Sequence, residues 1–373
     1  MGMSGQWMGR YSGTNSGLLV IELDEMETHY EGRAYAYDDN TQLPSTFAFI
    51  RTPSKESSFQ LRLQLSPLDP GTGDPTAWNQ LASRFPSVAF PLYADVDLSF
   101  SGDALEVSWK TNILTSGSAE IARSKADAPT DYRPLPSVTT WSEFKDFVSG
   151  LAYRRYIFRG QNKPRRLRTS FHRTGRADLT RFLEEDIRTL HRHLSVRTTH
   201  VFNLSNPDEN GAFFNLVQHH GYPTPLLDWT YSPFVGAFFA YHRIRNAEAA
   251  KAEANKTVRI FVFDQESWRE RFPQYPKLTP IRPHFSLMEF IAIDNQRLVP
   301  QQSISSLTNI DDIESYIRSL EKPGEQYMQI VDLPVRERPV VMRELSVMGI
   351  TAGSLFPGLD GTCEELRERF FQE

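Results

Sequence analysis

The strongest constraint on the fold is a series of short segments, within the first 123 residues, in which apolar and polar side chains alternate. Six such segments, separated by Gly, Pro, Asn or Asp, lie at residues 17–24, 30–38, 45–52, 59–66, 93–100 and 104–111. Alternation with a period of two is typical of strands that bury one face, and short turns between them favour antiparallel pairing. The pattern therefore predicts an antiparallel β-barrel or sandwich over residues 1–123.

Aromatic side chains of this region are expected to fill the interior of the β domain. They are Trp7, Tyr11, Tyr35, Phe47 and Trp109. The alternative is a ligand bound in the mouth of a barrel, although no residue pattern selects which ligand. The domain is interpreted as a sensor or partner-binding module.

A polar segment with three prolines, residues 124–137, predicts a linker to a second domain at 138–373. Thr140 followed by Glu143 predicts a capping box at the start of the first helix. Further helices are expected at 178–194, 212–221, 232–244 and 339–349, and strands at 257–264, 286–294 and 327–335. Helices followed by strands indicate an α+β fold for this domain.

The composition of the chain indicates its cellular compartment. Cys363 is the only cysteine, which excludes an intrachain disulfide framework and favours a reducing compartment. The first residues lack the pattern of a signal peptide, and no apolar run approaches the roughly 20 residues that a membrane helix needs. We therefore expect a soluble cytoplasmic protein without a membrane association.

A basic stretch from Arg154 to Arg176 contains nine Lys or Arg residues and no acid, in a chain whose formal net charge is −5. Such a segment is either solvated or neutralised by an anion. Arg159 ends a strand-like apolar run, and Gly160 lets backbone or ligand approach closely. An arginine fixed at a strand end suits phosphate or carboxylate, so this stretch predicts an anion site.

A second cluster lies at residues 218–233. Asp228 sits between Leu227 and Trp229, and a carboxylate in such apolar surroundings needs partners or a shifted pKa. It could serve the chemistry of a site or hold a turn. His219 and His220 are adjacent on a predicted helix and point about 100° apart, which disfavours joint metal binding. No HExxH, paired CxxC, GxSxG or GxxxxGK[ST] motif is present, so no metal site is predicted.

A third cluster, residues 294–303, places polar side chains after a predicted strand. They are Asn295, Arg297, Gln301 and Gln302. Polar groups beyond the end of a strand often line a pocket, and a polar surface turn is the alternative.

The three clusters together resemble the FRG domain family, named for the triplet that stands here as Phe158, Arg159 and Gly160. Gln161 continues the likeness, as do residues 218–233, 295–303 and the closing motif at 349–361. Two positions depart from the family pattern: Ser303 replaces a usual Gly, and Pro225 replaces a common basic residue. The resemblance covers the chain from about Trp141 onwards, and the N-terminal domain is only vaguely lipocalin-like.

The resemblance implies an effector of a bacterial toxin or anti-phage defence system. The order of its motifs is similar to that of ADP-ribosyltransferases, which implies NAD as the cofactor and ADP-ribosyl transfer or NAD cleavage as the reaction. The residues implied in catalysis are Arg159, Asp228, Glu289 and Gln301. Those implied in cofactor binding are Phe158, Gly160, Gln161, His219, Trp229, Thr230, Asn295 and Arg297.

Roles follow from the same analogy. Arg159 would hold the pyrophosphate, while Thr230 and Trp229 would shape the nicotinamide pocket. Because Gln301 is neutral, Glu289 or Asp228 would have to supply the negative charge that stabilises an oxocarbenium-like transition state.

Two other classes of function stay open. One is a nucleic-acid-binding or nucleotide-sensing module without catalysis, whose phosphate contacts would be Lys163, Arg165, Arg166 and Arg168. The other is a protein-interaction role in which the basic stretch pairs with acidic residues of the chain. The acidic residues expected there are Glu184, Glu185 and Asp186.

Overall fold

The alternating segments of the N-terminal region form eight antiparallel strands that close into a barrel. This is seen in a computed structural model, which describes residues 2–278 and 282–371. The strands are β1 (Gly5–Gly13), β2 (Gly17–Glu25), β3 (Tyr30–Asp38), β4 (Thr46–Arg51), β5 (Ser58–Pro67), β6 (Tyr93–Ser101), β7 (Ala104–Thr111) and β8 (Ser116–Ala122). The predicted antiparallel barrel is confirmed, and β1 and β8 are the strands that the pattern did not predict.

The alternation decides which side chains enter the barrel. Trp7, Tyr11 and Trp109 pack in the interior, as expected. The prediction is wrong for Tyr35 and Phe47, which lie in a separate cluster with Val20, Tyr37 and Leu68. Side chains alternate between the two faces of a strand. Because Ala34 and Ala36 face the interior, Tyr35 between them must face outwards. There the hydroxyl of Tyr35 lies 3.2 Å from Oγ1 of Thr180 in the second body of the chain.

The rest of the chain forms a second body that contains a six-stranded sheet. Its strands are β9 (Tyr156–Gln161), β10 (Leu226–Thr230), β11 (Thr257–Asp264), β12 (Phe285–Met288), β13 (Ser303–Thr308) and β14 (Met328–Pro334). Their order across the sheet is β12-β13-β10-β9-β11-β14, and every pair of neighbours is antiparallel.

The helices, in chain order, surround this sheet. A short helix of the barrel region, α1 (Trp78–Leu81), precedes them. The helices of the second body are α2 (Trp141–Ser149), α3 (Leu179–Arg181), α4 (Arg188–Leu194), α5 (Pro207–His219), α6 (Pro233–Tyr241), α7 (Asn246–Ala250), α8 (Gln265–Arg271), α9 (Ile313–Leu320), α10 (Arg338–Val347), α11 (Ala352–Leu355) and α12 (Leu359–Phe371). None of the helices in the described residues combines the length and the apolar character needed to cross a bilayer.

Apolar side chains cover both faces of the sheet. In β11, Val258, Ile260 and Val262 pack with α2, α6 and α10, whereas Phe261 and Phe263 pack with α8 and α9. Burial on both faces explains why this strand reads as an almost continuous apolar run. A mixed α+β body follows the barrel, as the fold class predicted.

Several local signals of the sequence have the expected geometry. Thr140 and Glu143 form the predicted capping box at the start of α2. Ser232 caps α6 by accepting a hydrogen bond from the backbone N–H of Val235. Gly221, just beyond α5, has a φ of +85°, a conformation that glycine adopts without steric cost.

One strand is shorter than predicted. The expected strand at 286–294 ends at Met288, and residues 289–302 contain neither helix nor strand. Phe290 and Ile293 pack against the cluster around α5 instead of continuing in the sheet. The ring of Phe290 occupies the space where a side chain on Gly211 of α5 would stand. Burial on the helix therefore ends the strand early and leaves a long loop beside it.

Residues 124–137 lie against the second body. Tyr132 is buried in its core, and the backbone N–H of Leu135 donates to the carbonyl of Ile330 at 2.9 Å. Arg166 donates from Nη1 to the carbonyl of Pro129 at 3.0 Å. The connection between the barrel and the second body is thus fixed along its length by backbone and side-chain contacts.

Candidate functional site

The nine cations of the basic stretch fall into two groups. Five lie within 4.0 Å of carboxylates: Arg154, Arg155, Arg166, Arg168 and Arg176. The other four, Arg159, Lys163, Arg165 and Arg173, line one cavity. Carboxylates of the chain therefore neutralise about half of the basic stretch. The other four cations place their positive charge around one cavity.

These ion pairs within the chain are relevant to two of the functions considered above, nucleic-acid binding and a protein-interaction role. Arg166 is almost fully buried and contacts Asp312 and Glu314, and Arg168 contacts Asp311 at 2.5 Å. Of the four cations considered for nucleic-acid contacts, Lys163 and Arg165 are exposed. Of the three acids considered as partners of the stretch, Asp186 pairs with Arg176, while Glu184 lies near Arg33 and Glu185 near Arg181.

The cavity has a volume of about 490 Å³ and lies where β9 and β10 separate. Their register contains one residue pair, Thr230 with Phe158. The space is large enough for a ligand of ordinary cofactor or drug size. Ten of the twelve residues singled out from the sequence line it: Phe158, Arg159, Gly160, Gln161, His219, Asp228, Trp229, Thr230, Arg297 and Gln301.

The wall of this cavity is strongly cationic. Arg243 and Arg297 add to the four cations of the basic stretch, and Asp228 is the one carboxylate among the residues lining the cavity. Burial, followed by the charges of Arg168 and Arg165, lowers the pKa of Arg173. An anion in the cavity would oppose both causes, because it would favour the charged form of Arg173.

Arg159 is the central cation of the wall. Its Nη1 donates to the backbone carbonyl of Asp228 at 2.5 Å, and its buried Nε has no hydrogen-bond partner. Burial lowers the pKa of this guanidinium, and the charge of Asp228 raises it less. Arg159 is partly buried, and a donor nitrogen that is shielded from water without a partner is costly unless a ligand uses it.

A short hydrogen-bond relay orients Asp228. Nε2 of Gln218 donates to Oδ1 of Asp228 at 2.6 Å, and the hydroxyl of Thr224 donates to Oε1 of the same glutamine. Thr224 is itself fixed because its backbone N–H donates to Oγ of Ser170 at 2.9 Å. Gln218 and Thr224 belong to the motif at 218–233, yet the sequence reading assigned neither of them a role.

His219 faces the cavity from the end of α5. Nδ2 of Asn295 lies 2.7 Å from Nδ1 of His219, and Oδ1 of Asn295 accepts from the backbone N–H of Arg297. If the amide donates to Nδ1, the neutral ring carries its proton on Nε2. Burial lowers the pKa of His219, which favours the neutral ring. Asn295 does not line the cavity and acts on it through this histidine.

The late motif is anchored from two sides. Nε2 of Gln301 donates to the carbonyl of Leu355 at 2.9 Å, and Oγ1 of Thr230 donates to the carbonyl of Gln301 at 2.7 Å. Trp229 is buried, and its indole N–H donates to Oγ of Ser306 in the core beneath the sheet. These contacts fix the shape of the wall near Gln301.

Gly160 is required by helix packing. A side chain there would stand 2.0 Å from the carbonyl oxygen of Gly236 and 2.5 Å from the backbone nitrogen of Ala240, both in α6. The close approach of α6 places Phe158 in the core shared with that helix. The Phe-Arg-Gly triplet thus seats β9 against α6 and sets the position of Arg159 between them.

Glu289 lies outside the residues that line the cavity. Its Oε1 accepts from the hydroxyl of Tyr231 at 2.5 Å and lies 4.0 Å from Nη2 of Arg154. About half of its side chain is exposed. The structure therefore separates Glu289 from the other three residues considered for catalysis.

An aromatic group forms another part of the wall. Phe239, His242 and Phe356 contact one another with ring centroids 5.7–6.0 Å apart, and the guanidinium of Arg297 lies 5.4 Å from the ring of Phe356. The sequence reading gave none of these rings a role, although Phe356 lies in the closing motif. Aromatic faces beside cations suit a ligand that carries both a planar ring and a negative charge.

Across residues 2–278 and 282–371, no three His, Cys, Asp or Glu side chains lie close enough together to hold a metal ion.

Comparisons with known proteins give matches for parts of the chain. A search of curated proteins found no match. Among solved structures, a redesigned beta barrel is similar, with 8% identity and a TM-score of 0.22, covering 32% of this chain and 90% of that chain. Residues 154–249, which hold the basic stretch, the relay around Asp228 and α6, match the model of the FRG family, and the chain therefore contains an FRG domain.

Proposed function

We propose that the FRG domain binds NAD or a related nucleotide in its cationic cavity and acts on it, by ADP-ribosyl transfer or by cleavage of NAD. The observation that carries this proposal is the charge of the cavity wall, six Lys or Arg side chains against one carboxylate, in a chain of net charge −5. Phosphates are the biological anions that best match several guanidinium groups. The sequence resemblance adds a role as an effector in a toxin or anti-phage system.

The layout of the wall suggests how a dinucleotide would lie. Arg159 and Arg173 would contact the pyrophosphate, and exposed Lys163 and Arg165 would extend that contact to the rim. A planar base would stack on Phe239 or Phe356. A wall with both cations and aromatic rings matches the two chemical parts of a nucleotide, its phosphates and its planar base.

Asp228 is the residue that best supports chemistry in this cavity. Its carboxylate would stabilise positive charge on the ribose as the bond from C1′ to the nicotinamide nitrogen breaks and nicotinamide leaves with the bonding pair. Oxygen of water or of an acceptor hydroxyl would then bond to C1′, and Asp228 would accept the proton released. Gln218 would hold the carboxylate in place.

The direct test is to incubate the purified chain with NAD and to measure free nicotinamide. We expect Arg159→Ala to lower the rate at least ~100-fold, because a lost contact to developing or transferred charge in an enclosed site has effects of this size. Arg154→Gln is the matched control, since Arg154 belongs to the same stretch but lies outside the cavity wall. Equal rates for the wild type and Arg159→Ala, with both folded, would contradict the proposal.

A second candidate is phosphate binding without chemistry, favoured by the exposure of Lys163 and Arg165 at the rim. Binding of a nucleic acid through such residues weakens steeply with salt and is reduced by similar factors on removal of each cation. A nucleotide enclosed by Arg159 would depend less on salt. Titrations of an oligonucleotide and of NAD at two salt concentrations separate the two candidates.

A further inference from the structure

A second cavity lies inside the β-barrel, and it shares no lining residue with the cationic cavity. Its volume is about 190 Å³. Protein interiors are close-packed and contain few voids larger than a water molecule. Barrels of eight strands are either filled by their own side chains or hold one small ligand.

Small side chains in one half of the barrel create this space. Ala34, Ala36, Ala48 and Ala94 line it, and the strand register places Ala34 directly opposite Ala48. The other half of the barrel is filled by large side chains: Trp7, Phe59, Phe100 and Leu105 pack in the same core but do not line the cavity. The space is therefore a defined chamber with one closed end.

At the closed end, an arginine side chain also packs against aromatic rings of the core. The guanidinium of Arg123 lies 4.8 Å from the ring of Trp7 and 5.1 Å from that of Phe100. Arg123 further donates from Nη2 to the backbone carbonyl of Gly2 at 2.7 Å. A ligand must enter from the opposite end.

Polar residues mark that opposite end. Thr14, Asn15, Thr115 and Ser116 line the chamber there, and Phe90 from the long β5–β6 connection covers part of it. Asp38 is the one charged residue that lines the chamber, and its Oδ2 accepts from the hydroxyl of Tyr11 at 3.0 Å. A carboxylate at the mouth favours a ligand end that donates hydrogen bonds and disfavours a second carboxylate.

We propose that the barrel binds an apolar small molecule that ends in a hydroxyl or amine group. The apolar part would fill the chamber beside the four alanines, and the polar end would reach Asp38. Because a dry apolar cavity of about 150 Å³ holds benzene, the chamber suits an apolar part slightly larger than one aromatic ring, or a short alkyl chain. The N-terminal domain would then be a small-molecule sensor joined to the FRG domain.

The test is calorimetric titration of the full chain with octan-1-ol, octylamine and octanoate. We expect one molecule of octan-1-ol or octylamine to bind per chain, and octanoate to bind at least ~10-fold more weakly because of the like charge of Asp38. Asp38→Asn should bring octanoate close to octan-1-ol in affinity. Octanoate that binds as tightly as octylamine to the wild type would overturn the role of Asp38.

Filling the chamber tests its position. Ala48→Phe should abolish binding of octan-1-ol, whereas Ala122→Phe, the same change at an exposed site of β8, should leave it unchanged. Ala48→Val serves if the larger side chain prevents folding, and it should weaken binding while circular dichroism stays native. No binding of octan-1-ol or octylamine at the solubility limit, or full binding by a folded Ala48→Phe, would overturn the proposal.

Discussion

Arg159 owes its position to contacts with neighbouring residues of the cavity wall and with α6. Its strand is held against α6 at Gly160, and its guanidinium is held by the backbone of Asp228. Asp228 in turn depends on Gln218, and His219 depends on Asn295. The directions of the Asp228 and His219 side chains in the cavity are thus set by hydrogen bonds from Gln218 and Asn295.

Gly160 offers a sharp test at this scale. Gly160→Ala should destabilise the fold by about 1–3 kcal/mol, because the new methyl group overlaps the backbone of α6 and forces it away from β9. The matched control is Gly150→Ala, where the nearest atom would lie 3.6 Å away, and it should change stability by less than about 0.5 kcal/mol. Urea denaturation measures both. Equal stability of the two variants would show that α6 adapts without cost.

Hydrogen bonds and packing contacts close to their ends fix where helices and strands of the second body begin and end. The capping box at α2 satisfies two backbone N–H groups that the first turn leaves unpaired. The helical stretch from Leu179 to Leu194 widens into a π-helical segment at Phe182–Ile187, in which Phe182 and Ile187 are buried. The strand β12 ends early because Phe290 packs on α5.

The cap of α2 carries a prediction at the scale of the element. Thr140→Ala should lower the free energy of unfolding by about 1 kcal/mol, because it leaves the N–H of Glu143 without its acceptor. Thr140→Ser keeps the hydroxyl and should stay within a few tenths of the wild type. Chemical denaturation of both variants measures the difference. A full loss in the serine variant would indicate that the methyl group, rather than the cap, provides the stability.

In the molecule as a whole, the barrel and the second body are joined by buried charges. Oδ1 of Asp24 in the barrel accepts from the backbone N–H groups of Ala177 and Asp178, at 2.7 and 3.2 Å. Arg33 of the barrel pairs with Asp178, whose side chain is fully buried. The joint at Ala177 and Asp178 follows Arg173 of the cavity wall by a few residues along the chain.

The pair of Arg33 and Asp178 should be the strongest single contact of this joint. Arg33→Ala should lower the free energy of unfolding by about 3 kcal/mol, because it leaves a buried carboxylate without its counter-charge. Burial already raises the pKa of Asp178, and Arg33 opposes that rise. Arg62→Ala removes the exposed pair with Asp95 and should cost at most about 1 kcal/mol. Similar losses in the two variants would contradict this ranking.

Four buried groups with large pKa shifts contribute to the dependence of stability on pH. Burial lowers the pKa of His172, His242 and His284 to about 4, whereas burial and the charge of Asp178 raise the pKa of Glu22 to about 8. Below the histidines' unfolded pKa of about 6.5, the unfolded chain binds up to three more protons there, so stability falls towards pH 4. Glu22 acts in the opposite sense: its contribution is full below about pH 4.5 and is lost as the pH rises to about 8.

The two effects place maximal stability near pH 6.5. Between about pH 4.5 and 6.5 the net difference approaches two protons, or about 2.7 kcal/mol per pH unit at most. Urea denaturation at pH 5, 6.5 and 8 checks the sign on each side. His284→Gln should flatten the acid side and Glu22→Gln the alkaline side. Greater stability at pH 5 than at pH 6.5 would contradict the assignment.

Much of the fold could be predicted from local pattern. Alternation located six barrel strands, and the cap at Thr140 located the start of α2. The motifs supplied ten residues that line the cavity. Periodicity could not tell which side of β3 faces inwards, since Tyr35 and Ala36 both fit a half-buried strand, and neighbouring strands alone decide between them.

Local sequence was enough to predict the barrel followed by a mixed α+β body, the position of many of the strands and helices, and the excess of positive charge in one stretch, because each depends on residues near one another in the chain. The tertiary structure alone decided which cations remain unpaired, since the carboxylates Asp264, Asp311 and Asp312 that neutralise their neighbours lie far along the chain. The same long-range contacts leave Glu289 outside the cavity wall that Asp228 lines, and they leave a chamber beside four alanines in the barrel. Those outcomes depend on contacts between distant segments, which local pattern does not encode.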